Sequence, residues 1–344
     1  MVGLGSVFSA IWLVVANSWQ QTPAGFHLVT RGGTVRAETL DFWSVVFNPS
    51  SVHRLVHVLI GAYVLGALFV MSVSAYYILR ARHLEFARRC LSIALVFGLT
   101  ASCAALVSGH FQARAVARNQ PAKLTAFEGH FTTGDGPTAM YLFGVPDVRQ
   151  RTVRFGLAVP GALSFLVHED FKTPVTGLDR FPEKDWPPVA VPFQTYHLMV
   201  ALGLFFIALT GYAWWSLRRG TLSRRRWVLW TIVFSVAGGF AANEAGWVAA
   251  EVGRQPWVVY GLLRTEDAVS KSVAPGAIVG SIVLFSVVYL LLFAVWVFVL
   301  DHKIRGGPDE EPHAPAPGEG EGCSHGAAAA KLAPGASLTS GHEG

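Results

Sequence analysis

Six long apolar stretches, separated by polar and basic connections, dominate this chain. They lie near residues 4–20, 52–80, 87–109, 192–217, 226–250 and 274–301. Each is of the length needed to cross a bilayer as a helix, roughly 20 residues. The pattern predicts an all-α, polytopic membrane protein with a helical domain over residues 1–302. The first stretch has no basic residues before it and runs into Asn17-Ser-Trp-Gln-Gln21, so it reads as a span and not as a cleavable signal.

Basic residues between the spans set the orientation. Arg80, Arg82, Arg88 and Arg89 lie between the second and third spans, and Arg218, Arg219, Arg224, Arg225 and Arg226 lie between the fourth and fifth. Lys303 and Arg305 follow the sixth. With alternating spans these loops share one side, which is then cytoplasmic, as are both termini. Segments 21–51, 110–191 and 251–273 face outward.

Composition agrees. Hydrophobic residues make up 52% of the 344 and charged residues only 14%, well below the quarter usual in soluble domains. The net charge of +5 is accounted for by topology and does not mark a nucleic-acid partner. Three cysteines are too few for a disulfide scaffold, and without a Cys-x-x-Cys-His motif covalent haem is not expected. Residues 303–344, rich in Gly, Ala, Pro and Glu, read as a disordered cytoplasmic tail, in which Cys323 and His325 carry no role.

The outer segment 110–191 is too long for a simple connection. It carries aromatic residues and few low-complexity runs, so a folded substrate loop is expected.

The distinctive chemistry sits at the outer end of the fifth span, in Asn243-Glu-Ala-Gly-Trp-Val-Ala-Ala-Glu-Val-Gly-Arg-Gln-Pro-Trp257. Ionisable groups at membrane depth are costly unless paired, which makes them functional candidates. Continued as a helix, the run puts Glu244, Trp247, Glu251 and Arg254 on one face. Such a stripe suits a metal centre, a proton relay, or both.

Two further spans enter from the same side. The second carries His53 and His57 in its first turns, and the fourth carries His197 and Met199. His57 and Met199 each fall roughly 8–10 Å inside the outer boundary. An imidazole and a thioether at one level can hold a six-coordinate b-type haem, with a potential above that of a bis-His site. Taken singly, Met199 also fits as core filler and His57 as a satisfied polar residue. The polar residues cluster toward the outer face and not the midplane, which disfavours a transport path.

The run Glu244-Ala-Gly-Trp247-x3-Glu251-x-Gly-Arg254-Gln-Pro-Trp257 resembles the corresponding run in subunit I of the cytochrome bd-type quinol oxidases. Four other places support the resemblance in the same order: Ser9 to Trp19, Val56-His57 before Gly61-Ala-Tyr63, Lys123-Leu-Thr-Ala-Phe-Glu128, and Leu198-Met199-Val200. The resemblance implies a haem-binding subunit that passes electrons from membrane quinol through b-type haems toward reduction of O2 to water. It implies His57 and Met199 as axial ligands of a low-spin haem b iron. It implies Glu251 as ligand of a high-spin haem b iron, with Trp247, Glu244 and Arg254 at that site. Lys123 and Glu128 would serve quinol oxidation, Glu128 as acceptor of a quinol proton. The implied setting is a bacterial inner membrane, with an oxidase subunit II as partner.

Two departures stand out. His197 occupies the position, two before the ligand methionine, where the family usually has arginine. A permanent cation beside a haem propionate is thereby lost. The chain also begins where the family's fourth helix begins. On the family pattern, haem d would be held only in a complete complex, with a separate polypeptide supplying the first helices, or else the reading frame is truncated. Activity of this chain alone is not expected. The alternative is a haem-b electron-entry or assembly module without its own oxygen-reducing site.

Overall fold

The structure is a computed structural model and describes residues 1–269 and 272–308. Cys323 and His325 lie outside the described residues.

Among the described residues, the six apolar stretches form six helices long and apolar enough to cross a membrane. These are α1 (Val2–Gln21), α3 (Ser51–Leu79), α4 (Leu84–Asn119), α7 (Ala190–Arg218), α8 (Arg226–Val252) and α9 (Pro275–Gly306). Two of them run past their apolar stretches. The third span continues through Gln112 and Arg114 to Asn119, lifting its last turns onto the outer loop. The last span reaches Gly306, so Lys303 and Arg305 belong to the helix and not to the tail.

The core is a four-helix bundle in which α3 packs on α4 and α8, and α7 packs on the same two. α3 and α7 thus face each other diagonally. Leu68, Met71, Leu91, Leu95, Phe206, Leu229 and Ile232 are fully buried between them, all toward the inner half. At the outer level, by contrast, His57, Met199 and Trp247 are only half-buried. α1 adds to one edge against α3. α9 has no buried residue, and it meets the bundle at its inner end, where the Tyr77 hydroxyl donates to the Ile304 carbonyl at 2.8 Å and Arg82 donates to the Arg305 carbonyl at 3.0 Å.

The outer segments are folded. Between α1 and α3 run the hairpin β1 (Phe26–Arg31) and β2 (Thr34–Thr39), then the short α2 (Phe42–Val46), capped by Asp41. Segment 110–191 contains α5 (Pro121–Glu128), the antiparallel hairpin β3 (Met140–Asp147) and β4 (Thr152–Val159), and α6 (Ala162–His168). A second small core of Ala122, Ala126, Phe131, Val153, Leu178 and Phe193 seats this unit on the start of α7. β5 (Trp257–Val259) and β6 (Leu263–Arg264) follow α8.

Candidate functional site: a carboxylate gripped at the outer rim

A helix continued through Arg254 would keep the whole stripe on one face. The helix instead stops at Val252, because Gly253 and the approaching Pro256 do not favour continuation. The chain then turns, and Arg254 comes back onto the last helical turn. Its Nη2 meets Glu251 Oε2 at 2.6 Å, and its Nη1 donates to Gln20 Oε1 at 3.0 Å.

The other oxygen of Glu251 is held by α1. Asn17 Nδ2 donates to Glu251 Oε1 at 2.9 Å, and one turn later Gln21 Nε2 donates to the same atom at 3.4 Å. Each amide also accepts from a cation. Asn17 Oδ1 takes a short hydrogen bond from Arg54 of α3, and Gln21 Oε1 accepts from Lys123 Nζ of α5 at 2.8 Å. Positive charge on one side and a carboxylate on the other fix the direction of both amides. Arg54 also comes within 4.0 Å of Glu251 Oε1 and lies 5.9 Å from the Trp247 ring centre. Asn17, Gln20, Gln21 and Arg54 went unassigned in the sequence; Arg54, one turn before His57 on an apolar helix, was the signal available.

Gly253 lets the outer loop reach this cluster. A Cβ there would meet the Ala249 carbonyl oxygen and the Phe127 ring at 2.7 Å and Lys123 Cγ at 3.2 Å. α5 therefore lies directly on the end of α8. On its inner side Lys123 is almost fully buried; burial and the Arg54 guanidinium hold its ammonium well below the ordinary lysine range. At the other end of α5, Glu128 is 1% exposed. Burial pushes its carboxyl up to about 8, and the nearby Tyr196 hydroxyl offsets only part of that rise. Among the described residues, neither Glu128 oxygen is in hydrogen-bonding geometry with a partner. The carboxyl thus titrates slightly above neutral pH, a range that suits proton exchange.

His57 stands in the outer half of α3. Its Nδ1 lies 2.9 Å from the Ser108 hydroxyl of α4. The Ser108 hydroxyl also lies 3.1 Å from the Ala105 carbonyl oxygen; when its hydrogen points there, it accepts from His57 Nδ1–H. That tautomer leaves Nε2 with a bare lone pair, the form that ligates a metal, oriented by its second nitrogen. Met199 lies on the diagonal helix and rests against Gly246 of α8, where a Cβ would stand 2.8 Å from its sulfur. An aligned imidazole, a thioether across the bundle and a half-buried level between them fit a b-type haem.

Not every residue singled out in the sequence joins the site. Glu244 is exposed on α8 and has no hydrogen bond or ion pair among the described residues. His53 is exposed as well. His197, in place of the expected arginine, has Nδ1 2.8 Å from the Phe193 carbonyl oxygen and Nε2 2.8 Å from that of Tyr141, tying α7 to β3. No group of three or more His, Cys, Asp or Glu suited to a metal ion occurs among the described residues.

The chain is similar to several known proteins. Residues 1–308 match the family model described as cytochrome bd terminal oxidase subunit I. The chain is 33% identical to the cytochrome bd ubiquinol oxidase subunit 1 of Bacillus subtilis over 92% of its own length and 69% of that protein's. It is 34% identical to a putative cytochrome bd menaquinol oxidase subunit I of the same organism, covering 90% of this chain and 69% of the other. In three dimensions it is similar to the bd oxidase structure from Geobacillus thermodenitrificans, with a TM-score of 0.79 and 30% identity over 89% of this chain and 69% of that one. These matches lend no support to a separate polypeptide supplying further helices, and that expectation is set aside. The chain belongs to the cytochrome bd terminal oxidase subunit I family.

Proposed function

We propose that this chain is the haem-binding, quinol-oxidising subunit of a bacterial plasma-membrane bd-type oxidase, and that its site residues divide into three stations. Family membership makes it a multi-pass oxidoreductase subunit of a haem-bearing oxidase that pairs with a subunit II and acts on quinol and O2. The stations are the finer reading.

At the first station Glu128 accepts a proton from quinol on the outer side. Its buried, unpaired carboxyl supports this, because such a group takes up and releases a proton near neutral pH. Lys123 contributes by anchoring α5 through Gln21. At the second station His57 and Met199 hold the iron of a low-spin haem b. The Ser108 hydroxyl keeps the His57 ring in its ligating tautomer. At the third, Glu251 holds the iron of a high-spin haem b, with Trp247 and Arg254 beside it. When bound, haem supplies the one-electron steps that carry electrons from quinol toward O2. The protein's part is to fix the ligands and to take the quinol proton on the outer side.

The observation that carries this reading is the contact of α5 with Glu251 through Lys123 and Gln21, which joins the quinol loop to the carboxylate site. The test is quinol-driven O2 consumption by the purified complex containing this chain. Activity lost in Glu128→Gln with haem spectra retained supports the assignment of Glu128. Unchanged activity contradicts it, and a complex that oxidises no quinol identifies the electron-entry or assembly module instead.

A further inference from the structure

The end of the bundle opposite Glu251 carries an arginine cluster with no part in the three stations. Arg218, Arg219, Arg224, Arg225 and Arg226 follow closely on one another, and no Asp or Glu occurs between Asp185 and Glu244. The described acids on that side, Glu85 and Asp301, are already paired with Arg89 and Arg305. Aromatic rings order the cluster. The Arg219 guanidinium lies 4.5 Å from the Trp215 ring centre, and that of Arg225 lies 5.8 Å from the same ring and 5.3 Å from Tyr212. Two cations thus flank one indole. Stacking engages the flat face of a guanidinium and leaves its N–H edge free. Among the described residues, no hydrogen bond or ion pair engages either edge. Basic residues at an inner membrane face set orientation, but orientation does not require two of them to share a ring.

An apolar groove continues from this rim between α7 and α8. The rings of Tyr212 and Trp227 stand 5.8 Å apart and join the two helices. Phe205 lies two turns deeper than Tyr212 on α7, and Phe234 two turns deeper than Trp227 on α8. With Trp230, Thr231 and Gly238 the two phenylalanines line a groove of about 380 Å³. Trp227 is 63% exposed and Phe234 67%, so this face points out of the bundle toward lipid.

We propose that Arg219 and Arg225 bind the phosphate of an anionic diacyl phospholipid, one acyl chain of which lies in the groove along Phe205, Trp230 and Phe234. Phosphate is the chemistry that suits forked guanidinium donors, which bind it through paired N–H groups. The exposed indoles of Trp215 and Trp227 sit between the cations and the groove, where an amphipathic ring matches the junction of headgroup and chain. Length decides in favour of a lipid. From Trp227 to Gly238 the helix rises roughly 16 Å, about half of the ~30 Å hydrocarbon core and so the depth of one leaflet. A free phosphate or an acidic protein segment would meet the guanidiniums and leave the apolar groove unfilled; a phospholipid fills both.

The experiment separates this site from general surface charge and from its rival occupants. The purified complex containing this chain is delipidated in detergent and titrated with dioleoyl phosphatidylglycerol, and bound lipid is counted by native mass spectrometry. Wild type is compared with Arg219→Gln/Arg225→Gln and with Arg88→Gln/Arg89→Gln, which removes the same formal charge elsewhere on the inner face. The expected result is a phosphatidylglycerol affinity about tenfold weaker in the first double variant and unchanged in the second, since only the first loses the paired donors. Equal affinity in all three, or an equal loss in both double variants, overturns the proposal. Inorganic phosphate that displaces the lipid at equal concentration also overturns it and identifies a free-anion site. The groove is read by p-benzoyl-phenylalanine introduced at Thr231 and photolysed in native membranes. A phospholipid mass on the peptide that carries it is expected, and a crosslink to another protein subunit overturns the proposal. If the double variant does not assemble, Arg219→Gln and Arg225→Gln singly carry the comparison, each expected to weaken binding.

Discussion

Asn17 and Glu251 stand 234 residues apart in sequence, and the side-chain amide of the first donates to Oε1 of the second at 2.9 Å. The same amide accepts from Arg54 through its oxygen, so it separates a buried cation from a carboxylate while bonding to both. Hydrogen bonds to charged groups contribute about 1.5–3 kcal/mol each. Asn17→Ala removes two of them and leaves Arg54 without its acceptor. The expected outcome is a complex with a lower thermal midpoint in detergent. In the double variant with Glu251→Ala the two losses are less than additive, by about 1 kcal/mol or more. Strict additivity would show that the contact does not couple the two residues.

Glu128 gives a pH prediction with a definite sign. Its carboxyl titrates near 8 in the folded protein, against an ordinary value of 4.5. Below the ordinary value both folded and unfolded chains carry the proton, and the buried neutral acid costs nothing extra. As pH rises from there toward about 8, the unfolded chain releases its proton and the folded chain retains it, so stability falls by an amount on the order of a few kcal/mol. Glu128→Gln abolishes this loss, and its stability exceeds that of wild type at pH 9. Quinol oxidation moves the opposite way. A base must be ionised to accept a proton, so the wild-type rate rises toward an apparent pKa near 8. In Glu128→Gln the rate falls by about 10²–10⁴ and that limb disappears. Steady-state rates across pH check both statements.

Lys123 separates substrate contact from anchoring. Its ammonium is engaged by Gln21 Oε1 at 2.8 Å inside the Glu251 cluster. Lys123→Met is therefore expected to lower kcat more than it raises the KM for quinol. A large KM effect with kcat unchanged would place the ammonium on the substrate instead.

Gly253 is a position of close approach. Alanine there would put a methyl group 2.7 Å from the Ala249 carbonyl oxygen and from the Phe127 ring. Overpacking of this kind costs about 1–3 kcal/mol. Gly253→Ala is expected to displace α5, reducing quinol oxidation while the b-type spectrum assigned above to His57 and Met199 persists. Limited proteolysis of the outer loop, faster in the variant, provides the structural check.

Membrane spans are legible because twenty apolar residues in a row have few alternatives in water or lipid. The run from Glu244 to Trp257 was conspicuous for the same reason, since charge at membrane depth demands a partner. The identity of the partners was not legible. Asn17, Gln20 and Gln21 are uncharged, and they lie at the far end of the chain from Glu251. Only the packing of α1 beside α3, and of the post-α8 turn onto α1, brings them together. Helical periodicity also misjudged two members of the stripe. It placed Arg254 on the helix, whereas the chain has already turned at Gly253, and it grouped Glu244 with residues that the structure holds together while Glu244 itself stays exposed. Sheet elements in the outer segments escaped notice because short hairpins in a loop carry little periodic signal against long apolar helices.

Haem ligation by His57, Met199 and Glu251 is the centre of this account. The most direct measurement is the reduced-minus-oxidised visible spectrum of the purified complex, taken for wild type and for His57→Ala, Met199→Ala and Glu251→Ala. The account predicts that the low-spin b signal is lost in the first two and retained in the third, and that the high-spin b signal is lost only in the third. A low-spin spectrum unchanged in both His57→Ala and Met199→Ala, or no b-type signal in the wild-type complex, would contradict it.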